Sequence, residues 1–255
     1  MEEILIILMG LIIGSFLNVV IHRLPLGQSI VKPGSHCPRC QRPIPFYDNI
    51  PVVSYLLLGG KCRSCRQPIS PRYPLVEMLT GLCFWLSYLT FGPSLHTAFT
   101  ILFLCLLIAL AFIDLQHMIL PDSLTLGGAL VFLGYAFVHP WISAQDAILS
   151  ALTAAALFAG LYFFYLKVRK IEGLGFGDIK MMLLLGLFLG HRMLIVAILV
   201  ASFSGLLAGC FFILFKKKDL KFALPFGTFL SLGSMIAVFW GDSILGLIQS
   251  LIQPQ

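Results

Sequence analysis

Charged residues are scarce in this chain of 255 residues: they make up 11% of it, against 59% hydrophobic residues. The mean hydropathy is +0.97, far above that of a soluble globular domain. This composition excludes a protein whose main solvent is water. It also leaves no separate basic, water-soluble module that would bind nucleic acid, although the net charge is +6.

Long apolar runs replace the missing charge. A helix needs about 20 apolar residues to cross a hydrocarbon layer of about 30 Å. Seven runs approach this length, near residues 4–21, 75–91, 97–113, 123–138, 147–166, 193–215 and 222–239. An eighth run, 179–190, would rise only about 18 Å as a helix. We therefore predict an all-α, polytopic transmembrane bundle of about eight helices, whose first helix is retained rather than removed as a signal peptide.

The basic residues are segregated along the chain, which predicts an orientation. If eight runs alternate across the membrane, sixteen of the seventeen Lys and Arg residues lie on one side, and only Arg192 lies on the other. Lys and Arg near the ends of spans are kept on the cytoplasmic side. We therefore expect the N-terminus outside and a basic, cytoplasm-facing surface that suits anionic lipid headgroups.

The polar segment 23–74, between the first two runs, is the only predicted extramembrane region large enough for a small domain. It holds two CxxC motifs with 21 residues between them. Four thiolates at this spacing can surround Zn²⁺ tetrahedrally. Two disulfides or free thiols are the alternatives, and a reducing cytosol disfavours disulfides. We predict a structural zinc site formed by Cys37, Cys40, Cys62 and Cys65. The other cysteines lie in apolar runs and are expected to be buried rather than to bind metal: Cys83, Cys105 and Cys210.

Only eleven acidic residues are present, so their placement is informative. Six fall in predicted loops or at predicted ends, where solvation explains them: Glu2, Glu3, Asp48, Asp146, Asp219 and Asp242. The other five fall at or near the predicted cytoplasmic ends of helices: Glu77, Asp114, Asp122, Glu172 and Asp178.

Asp114 and Asp178 are the catalytic candidates among these five. Asp114 ends an apolar run without a Lys or Arg in its own loop, and a boundary carboxylate without a partner is a functional candidate. The alternative for Asp114 is a hydrogen bond to His117. Asp178 follows glycines at 173, 175 and 177, which allow close backbone approach. The alternative for Asp178 is a helix N-cap, the role that we also expect for Asp122.

The predicted topology brings Asp114 and Asp178 to the same membrane depth from different helices. Two carboxylates that share a proton can activate water and protonate a carbonyl oxygen, which is the chemistry of aspartic proteolysis. The sequence contains neither HExxH nor GxSxG, so metalloprotease and serine hydrolase sites are not indicated. The alternatives are a small transporter that uses boundary carboxylates and a zinc-dependent structural membrane protein without enzymatic activity.

Several motifs together resemble the bacterial type 4 prepilin peptidases, a family of GxGD intramembrane aspartic proteases. They are residues 14–25, the two CxxC motifs around residues 50–55, and residues 68–77, 112–122 and 175–180. The resemblance implies an inner-membrane enzyme of type IV pilus or type II secretion systems. It would cleave the leader of prepilins or pseudopilins after a glycine, on the cytoplasmic side of the substrate helix, with Asp114 and Asp178 as the catalytic pair.

The resemblance also implies a second activity and a division of the chain. Family members with the four-cysteine region typically also N-methylate the new N-terminus with S-adenosylmethionine, for which the residues themselves indicate no site. The expected division is a first transmembrane helix at 1–22, a cytosolic zinc-binding segment at 23–74 and a transmembrane peptidase domain at 75–255.

Overall fold

The computed structural model describes residues 1–138, 142–169, 175–216 and 224–252, which contain eight α-helices and no β-strand. Six of the eight are long and apolar enough to cross a membrane, and α5 is a shorter apolar helix. The predicted all-α, multi-pass membrane fold is confirmed. The helices are α1 Glu2–Arg23, α2 Val53–Leu57, α3 Arg72–Phe91, α4 Leu95–His117, α5 Asp122–Val138, α6 Ala144–Arg169, α7 Phe176–Lys216 and α8 Phe226–Ile252.

Helix α7 spans 41 residues but is interrupted at Gly190, where φ is 65° and ψ is 177°. The two segments, 176–189 and 191–216, correspond to the predicted runs 179–190 and 193–215. When they are counted separately, the described residues contain eight apolar helical segments, as predicted. The first segment rises about 21 Å, less than the thickness of the hydrocarbon layer.

The interruption at Gly190 is held by side chains of α6. His191 Nδ1 lies 2.7 Å from Asp146 Oδ1, and His191 Nε2 lies 3.3 Å from Thr153 Oγ1. A Cβ atom on Gly190 would lie 2.5 Å from Asp146 Oδ2, so glycine is required both by this contact and by the positive φ. We expected solvation alone to explain Asp146. It instead lies in the first turn of α6 and contacts His191 of α7.

Helix α8 is longer than the predicted run 222–239, because apolar residues continue at helical spacing beyond that run, at Ile244, Leu245 and Ile248. Asp242 was expected in a loop or at an end. It instead lies inside α8, with an exposed side chain. One acidic residue on an outward face does not interrupt a helix whose other positions are apolar.

The chain forms two compact units, Met1–Ala109 and Leu110–Gln255, with the boundary inside α4. In the first unit, α1 packs against α3 at glycines. A Cβ atom on Gly10 would lie 2.7 Å from the Cα of Gly81, and one on Gly14 would lie 2.7 Å from the Cα of Glu77. Gly10 and Gly14 form the GxxxG spacing that lets membrane helices approach closely. The expected three-part division of the chain stays a prediction.

The second unit is built around α7, which packs against α5, α6 and α8. The side chains of its first segment include four that are fully buried: Met181, Met182, Leu184 and Leu185. Gly186 lies against the backbone of Ala151 on α6, and Gly233 of α8 lies against the Ala197 carbonyl of α7. This close packing on two sides fixes the helix that begins just before Asp178.

Candidate active site and metal centre

Asp114 lies in the last turn of α4 and is 6% exposed. Its Oδ2 atom accepts a hydrogen bond from the backbone N–H of Thr228 at 2.8 Å. The single hydroxyl hydrogen of Thr228 is shared between Asp114 Oδ2, at 3.2 Å from Oγ1, and the Ala111 carbonyl, at 3.0 Å. The alternative partner, His117, is exposed and makes no such bond. Thr228 is in the first turn of α8, where the free N–H groups of a helix favour a negative charge. The start of α8 therefore holds this carboxylate.

Asp178 lies in the first turn of α7 and is also 6% exposed. Its Oδ2 atom accepts a hydrogen bond from the backbone N–H of Gly175 at 3.1 Å. This is the contact that an acidic residue at the third helical position makes with the N-cap residue in a capping box. The N-cap residue is therefore Gly175, and the alternative role of Asp178 as the N-cap residue is wrong. Asp178 nevertheless caps the helix, because its side chain accepts the Gly175 N–H.

One apolar side chain lies between the two helix starts. Leu120, in the connection between α4 and α5, is buried. A Cβ atom on Gly177 would lie 3.0 Å from Leu120 Cβ, and one on Gly227 would lie 3.0 Å from Leu120 Cδ2 and 3.1 Å from Asp114 Oδ2. Gly177 and Gly227 therefore allow α7 and α8 to approach Leu120 closely. Gly173, the other predicted close-approach glycine, lies outside the described residues, as does Glu172.

Asp114 and Asp178 are brought into one region by Leu120, against which the starts of α7 and α8 both pack. Within the described residues, each is hydrogen bonded to the start of a helix and not to the other carboxylate. A water molecule bridges polar groups that are too far apart for a direct hydrogen bond. Two buried acids around a bridging water can activate that water without a metal.

Asp122 has a different role from the two buried acids. The backbone N–H groups of Leu124 and Thr125 both donate to the Pro121 carbonyl at 3.1 Å, so Pro121 occupies the N-cap position predicted for Asp122. The exposed carboxylate of Asp122 instead forms an ion pair with Lys180. The Lys180 ammonium also lies 5.4 Å from the centre of the Phe176 ring. This pair ties the start of α5 to the start of α7.

Leu120, Gly227 and Thr228 were not among the sequence candidates. One pattern could have revealed two of them: Phe-Gly followed by a polar residue begins an apolar helix twice, at residues 176–178 and 226–228. The first copy ends in Asp178, and the second ends in Thr228. Leu120 carries no such pattern, because its role depends only on what packs around it.

The predicted zinc ligands come together in the first unit. The Sγ atoms of Cys37, Cys40, Cys62 and Cys65 all lie within 4.8 Å of one another, and the Cys37 and Cys65 sulfurs are 3.9 Å apart. Zn–S bonds of about 2.3 Å in a tetrahedron place sulfurs about 3.8 Å apart. The donor set and its geometry therefore fit zinc, and none of the seven cysteines forms a disulfide.

The two CxxC turns have the same backbone structure. In the first, Cys37 N–H donates to the Arg42 carbonyl at 3.0 Å and Gln41 N–H to the Cys37 carbonyl at 2.9 Å. In the second, Cys62 N–H donates to the Gln67 carbonyl and Arg66 N–H to the Cys62 carbonyl, both at 2.9 Å. Gln41 and Arg66 both have positive φ, 58° and 57°. Each turn thus presents its two sulfurs in the same way.

The thiols of the cluster differ in acidity. The backbone N–H groups of Cys65 and Ser64 lower the pKa of the Cys62 thiol to about 7. Although the Gln67 N–H lowers the pKa of the Cys65 thiol, burial and the neighbouring thiols outweigh it and raise that pKa to about 11. The thiolate is the form that binds metal.

Arg63 donates two hydrogen bonds to Asp48, at 2.6 and 2.7 Å, which holds the pKa of that carboxyl below its usual value. We expected Asp48 to be solvated only. It lies between the two CxxC motifs, and its bonds to Arg63 tie that part of the chain to the second CxxC turn.

The remaining cysteines lie in helices. Cys83 and Cys105 are buried, as predicted, whereas Cys210 is exposed. The prediction for Cys210 is wrong because the second segment of α7 presents one of its apolar faces outward, and Cys210 lies on such a face near Phe211 and Leu214. An apolar outward face is what a membrane helix offers to lipid.

Comparison of the sequence with known proteins identifies two matching family models. Residues 8–91 match the bacterial peptidase A24 N-terminal domain, and residues 101–210 match the type IV leader peptidase family. No solved structure matches the chain significantly.

Three curated relatives carry the name prepilin leader peptidase/N-methyltransferase. The protein of Aeromonas hydrophila is 38% identical over 268 residues, which cover 94% of this chain and 91% of that protein. That of Myxococcus xanthus is 44% identical over 206 residues, 81% of this chain and 62% of that protein. That of Pseudomonas aeruginosa is 36% identical over 263 residues, 93% of this chain and 90% of that protein. With such similarity along nearly its whole length, the chain belongs to the type IV leader peptidase family.

Proposed function

We propose that this membrane protein is a prepilin leader peptidase that cleaves with Asp114 and Asp178 and then N-methylates the new N-terminus. The observation that carries the peptidase assignment is the pair of buried carboxylates, which come from different helices and lie beside two helix starts that both pack against Leu120. The names of the relatives support both activities and a prepilin as substrate.

The proposed cleavage needs only the two carboxylates and a water molecule between them. One carboxylate accepts a proton from the water while the other donates a proton to the carbonyl oxygen of the scissile peptide. The hydrogen bonds from Thr228 and Gly175 keep both carboxylates oriented before substrate arrives, which is the preorganisation that transition-state stabilisation requires. The starts of α7 and α8 also offset the negative charge of the site.

The four-cysteine cluster would hold a structural zinc ion. Four sulfur ligands complete a tetrahedron and leave no position for a reacting water. The segment has few buried side chains of its own, so a metal would supply the stability that a small segment lacks. No step of cleavage is assigned to the metal.

We further propose that the N-terminus lies outside and that the aspartates and the cysteine segment face the bacterial cytoplasm. The segregation of sixteen of the seventeen Lys and Arg residues supports this orientation. A substrate with a charged leader before an apolar helix would then lodge with its leader at the inner interface. Its cleavage point would lie at the membrane boundary, where water is present.

Replacement of each aspartate tests the peptidase assignment. Asp114→Asn and Asp178→Asn should each lower cleavage of a prepilin in proteoliposomes by a factor of about 10³ or more, because neither amide can transfer the required proton. Methylation of a pilin peptide that already lacks its leader should persist in both variants. The matched control is Asp242→Asn, an exposed acid of α8, which should cleave like the wild type. Full cleavage by either aspartate variant would overturn the assignment.

A further inference from the structure

A cavity of about 340 Å³ lies in the first unit, between the last turns of α1 and the loops of the cysteine segment. Helix α1 contributes Ser15, Phe16 and Val19 to its wall, and the loops contribute Ile30, Ser35 and Asn49. This volume is within the range of small-molecule sites, and an apolar wall with a few polar groups is typical of them. The cavity contains neither Asp114 nor Asp178 and so belongs to no part of the proposed peptidase site.

Arg23 gives one side of the cavity a buried positive charge. It is 6% exposed, and its guanidinium donates to the carbonyl groups of Ser29 at 3.1 Å, Pro33 at 2.7 Å and Gly34 at 3.1 Å. The ion pairs among the described residues do not include Arg23. Buried charges are normally paired with an opposite charge. An anionic group of a ligand would complete this site.

A strained turn forms another part of the wall. Val52 has a φ of 61° and a ψ of −50°, and Val53 N–H donates to the Pro51 carbonyl across it at 2.6 Å. A positive φ is unfavourable for a β-branched residue, and such strain is retained where neighbouring structure imposes it. Pro51 lines the cavity, so the strain fixes the cavity wall.

The group that imposes this turn is the buried carboxylate of Glu77. Its Oε2 atom accepts the Val52 N–H at 2.8 Å, and Gly14, which directly precedes the cavity-lining Ser15, packs against the Cα atom of Glu77. Glu77 is 7% exposed and lies outside the second unit, which holds the two aspartates. The cavity therefore has a guanidinium in its wall and a buried carboxylate behind the turn at Pro51 and Val52.

We propose that this cavity binds S-adenosylmethionine, an inference that rests on the methyltransferase part of the proposed function. The compound combines an amino-acid end, which carries a carboxylate and an ammonium group, with a ribose, an aromatic base and a cationic sulfur. Arg23 would bind the carboxylate, and the apolar side chains of Phe16, Val19 and Ile30 would contact the faces of the adenine ring. The polar groups of Ser15, Ser35 and Asn49 would hydrogen bond to the ammonium group and the ribose. Glu77 acts through the Val52 turn and is therefore a positioning residue.

When bound, S-adenosylmethionine supplies a methyl group on a positively charged sulfur. The lone pair of the substrate amine forms the new N–C bond while the C–S bond breaks. The electron pair of that bond stays on sulfur, which yields S-adenosylhomocysteine, and the proton lost by the amine passes to water.

The test measures binding of S-adenosylmethionine to the purified full-length protein in detergent. Ile30→Trp, which fills the cavity, should raise the Kd at least tenfold at an unchanged unfolding temperature. Leu57→Trp is the matched control, because Leu57 is exposed on α2 and lies outside both the cavity and the turn at Val52, and it should leave the Kd unchanged. An unchanged Kd in Ile30→Trp would overturn the site.

A second measurement does not depend on whether a variant folds. Ultraviolet cross-linking of tritiated S-adenosylmethionine to the wild-type protein should label peptides within residues 12–51, and excess S-adenosylhomocysteine should suppress the label. Labelling elsewhere, in a protein that does methylate, overturns only the location of the site. If the wild-type protein cleaves prepilin but neither methylates nor binds the compound, the methyltransferase part of the proposed function fails instead.

Discussion

The four-cysteine segment and the aspartate region are both polar, and the chain fixes them by different means. In the segment, backbone hydrogen bonds shape each CxxC turn, and the four sulfurs converge on one point. In the aspartate region, residues far apart in sequence meet because α7 packs against α8 and the last turn of α4 is hydrogen bonded to the start of α8. The starts of α7 and α8 both pack against Leu120. The structure of the cysteine segment therefore depends on two short turns and four sulfur atoms. The structure of the aspartate region depends instead on the packing of helices.

The largest effect should come from removing sulfur ligands. Cys37→Ser combined with Cys62→Ser should eliminate bound zinc, because each CxxC turn loses a ligand. We expect new protease sensitivity in the segment and a fall in methylation of more than about tenfold, with a much smaller fall in cleavage. Metal analysis and limited proteolysis measure the first two effects. Cys210→Ser is the control, since this exposed cysteine is outside the cluster. Zinc retained in the double variant would contradict the assignment of these ligands.

A smaller loss, here of protein stability, should follow from a substitution that pushes α1 and α3 apart. In Gly14→Ala, the added Cβ atom would lie 2.7 Å from the Cα of Glu77, and backbone cannot yield as a side chain does. We expect a destabilisation of about 1–3 kcal/mol, measured as a lower unfolding temperature in detergent. Gly127→Ala adds the same methyl group where nothing lies within 4 Å. Equal unfolding temperatures for the two variants would show that α1 and α3 are not packed at Gly14.

The aspartate region should respond in activity and not in stability. In Gly227→Ala, the new Cβ atom would lie 3.0 Å from Leu120 Cδ2 and 3.1 Å from Asp114 Oδ2. Both atoms end flexible side chains, so the protein accommodates the methyl group by shifting the carboxylate. A displacement of under 1 Å should lower kcat for cleavage by about tenfold. Gly134→Ala, which meets no atom within 4 Å, serves as the control. The idea fails if Gly227→Ala cleaves at the wild-type rate.

The smallest effect should come from Thr228. Thr228→Val removes the hydroxyl, whose hydrogen is shared between Asp114 Oδ2 and the Ala111 carbonyl, but keeps the N–H donor to Asp114 Oδ2. Loss of one hydrogen bond to a charged group corresponds to a fall in cleavage of about threefold to tenfold, given the retained donor. Thr228→Ser, which keeps both donors, should restore activity and the pH profile of cleavage. A serine variant as impaired as the valine variant would point to a packing role for Thr228.

The features that the sequence predicts best are those whose cause is local. The CxxC spacing predicts the sulfur cluster because each motif closes a turn within a few residues, and apolar runs predict the helices because their length matches the membrane. Asp114 and Asp178 stand out as acids beside apolar runs. Their catalytic role stays a prediction, as does the three-part division of the chain.

The contacts that depend on packing were not predictable in this way. Thr228 reaches Asp114 across 114 positions of sequence, and Leu120 is an ordinary leucine until α7 and α8 pack on it. The partners of Asp122 and Asp146 also come from other helices, so both acids were assigned to simpler roles. The exposure of Cys210 was also not predictable, since an apolar run does not reveal which face of the helix meets lipid.

The glycine that interrupts α7 has a mechanical consequence. The segment ahead of it is a rod of about 20 Å that carries Asp178 at its far end, while Asp146 and His191 hold the near end. A tilt of roughly 10° about this end would move Asp178 by about 3.5 Å, since the segment is rigid along its length. The contact between Asp146 and His191 therefore helps to set the position of an acid at the opposite end of the segment.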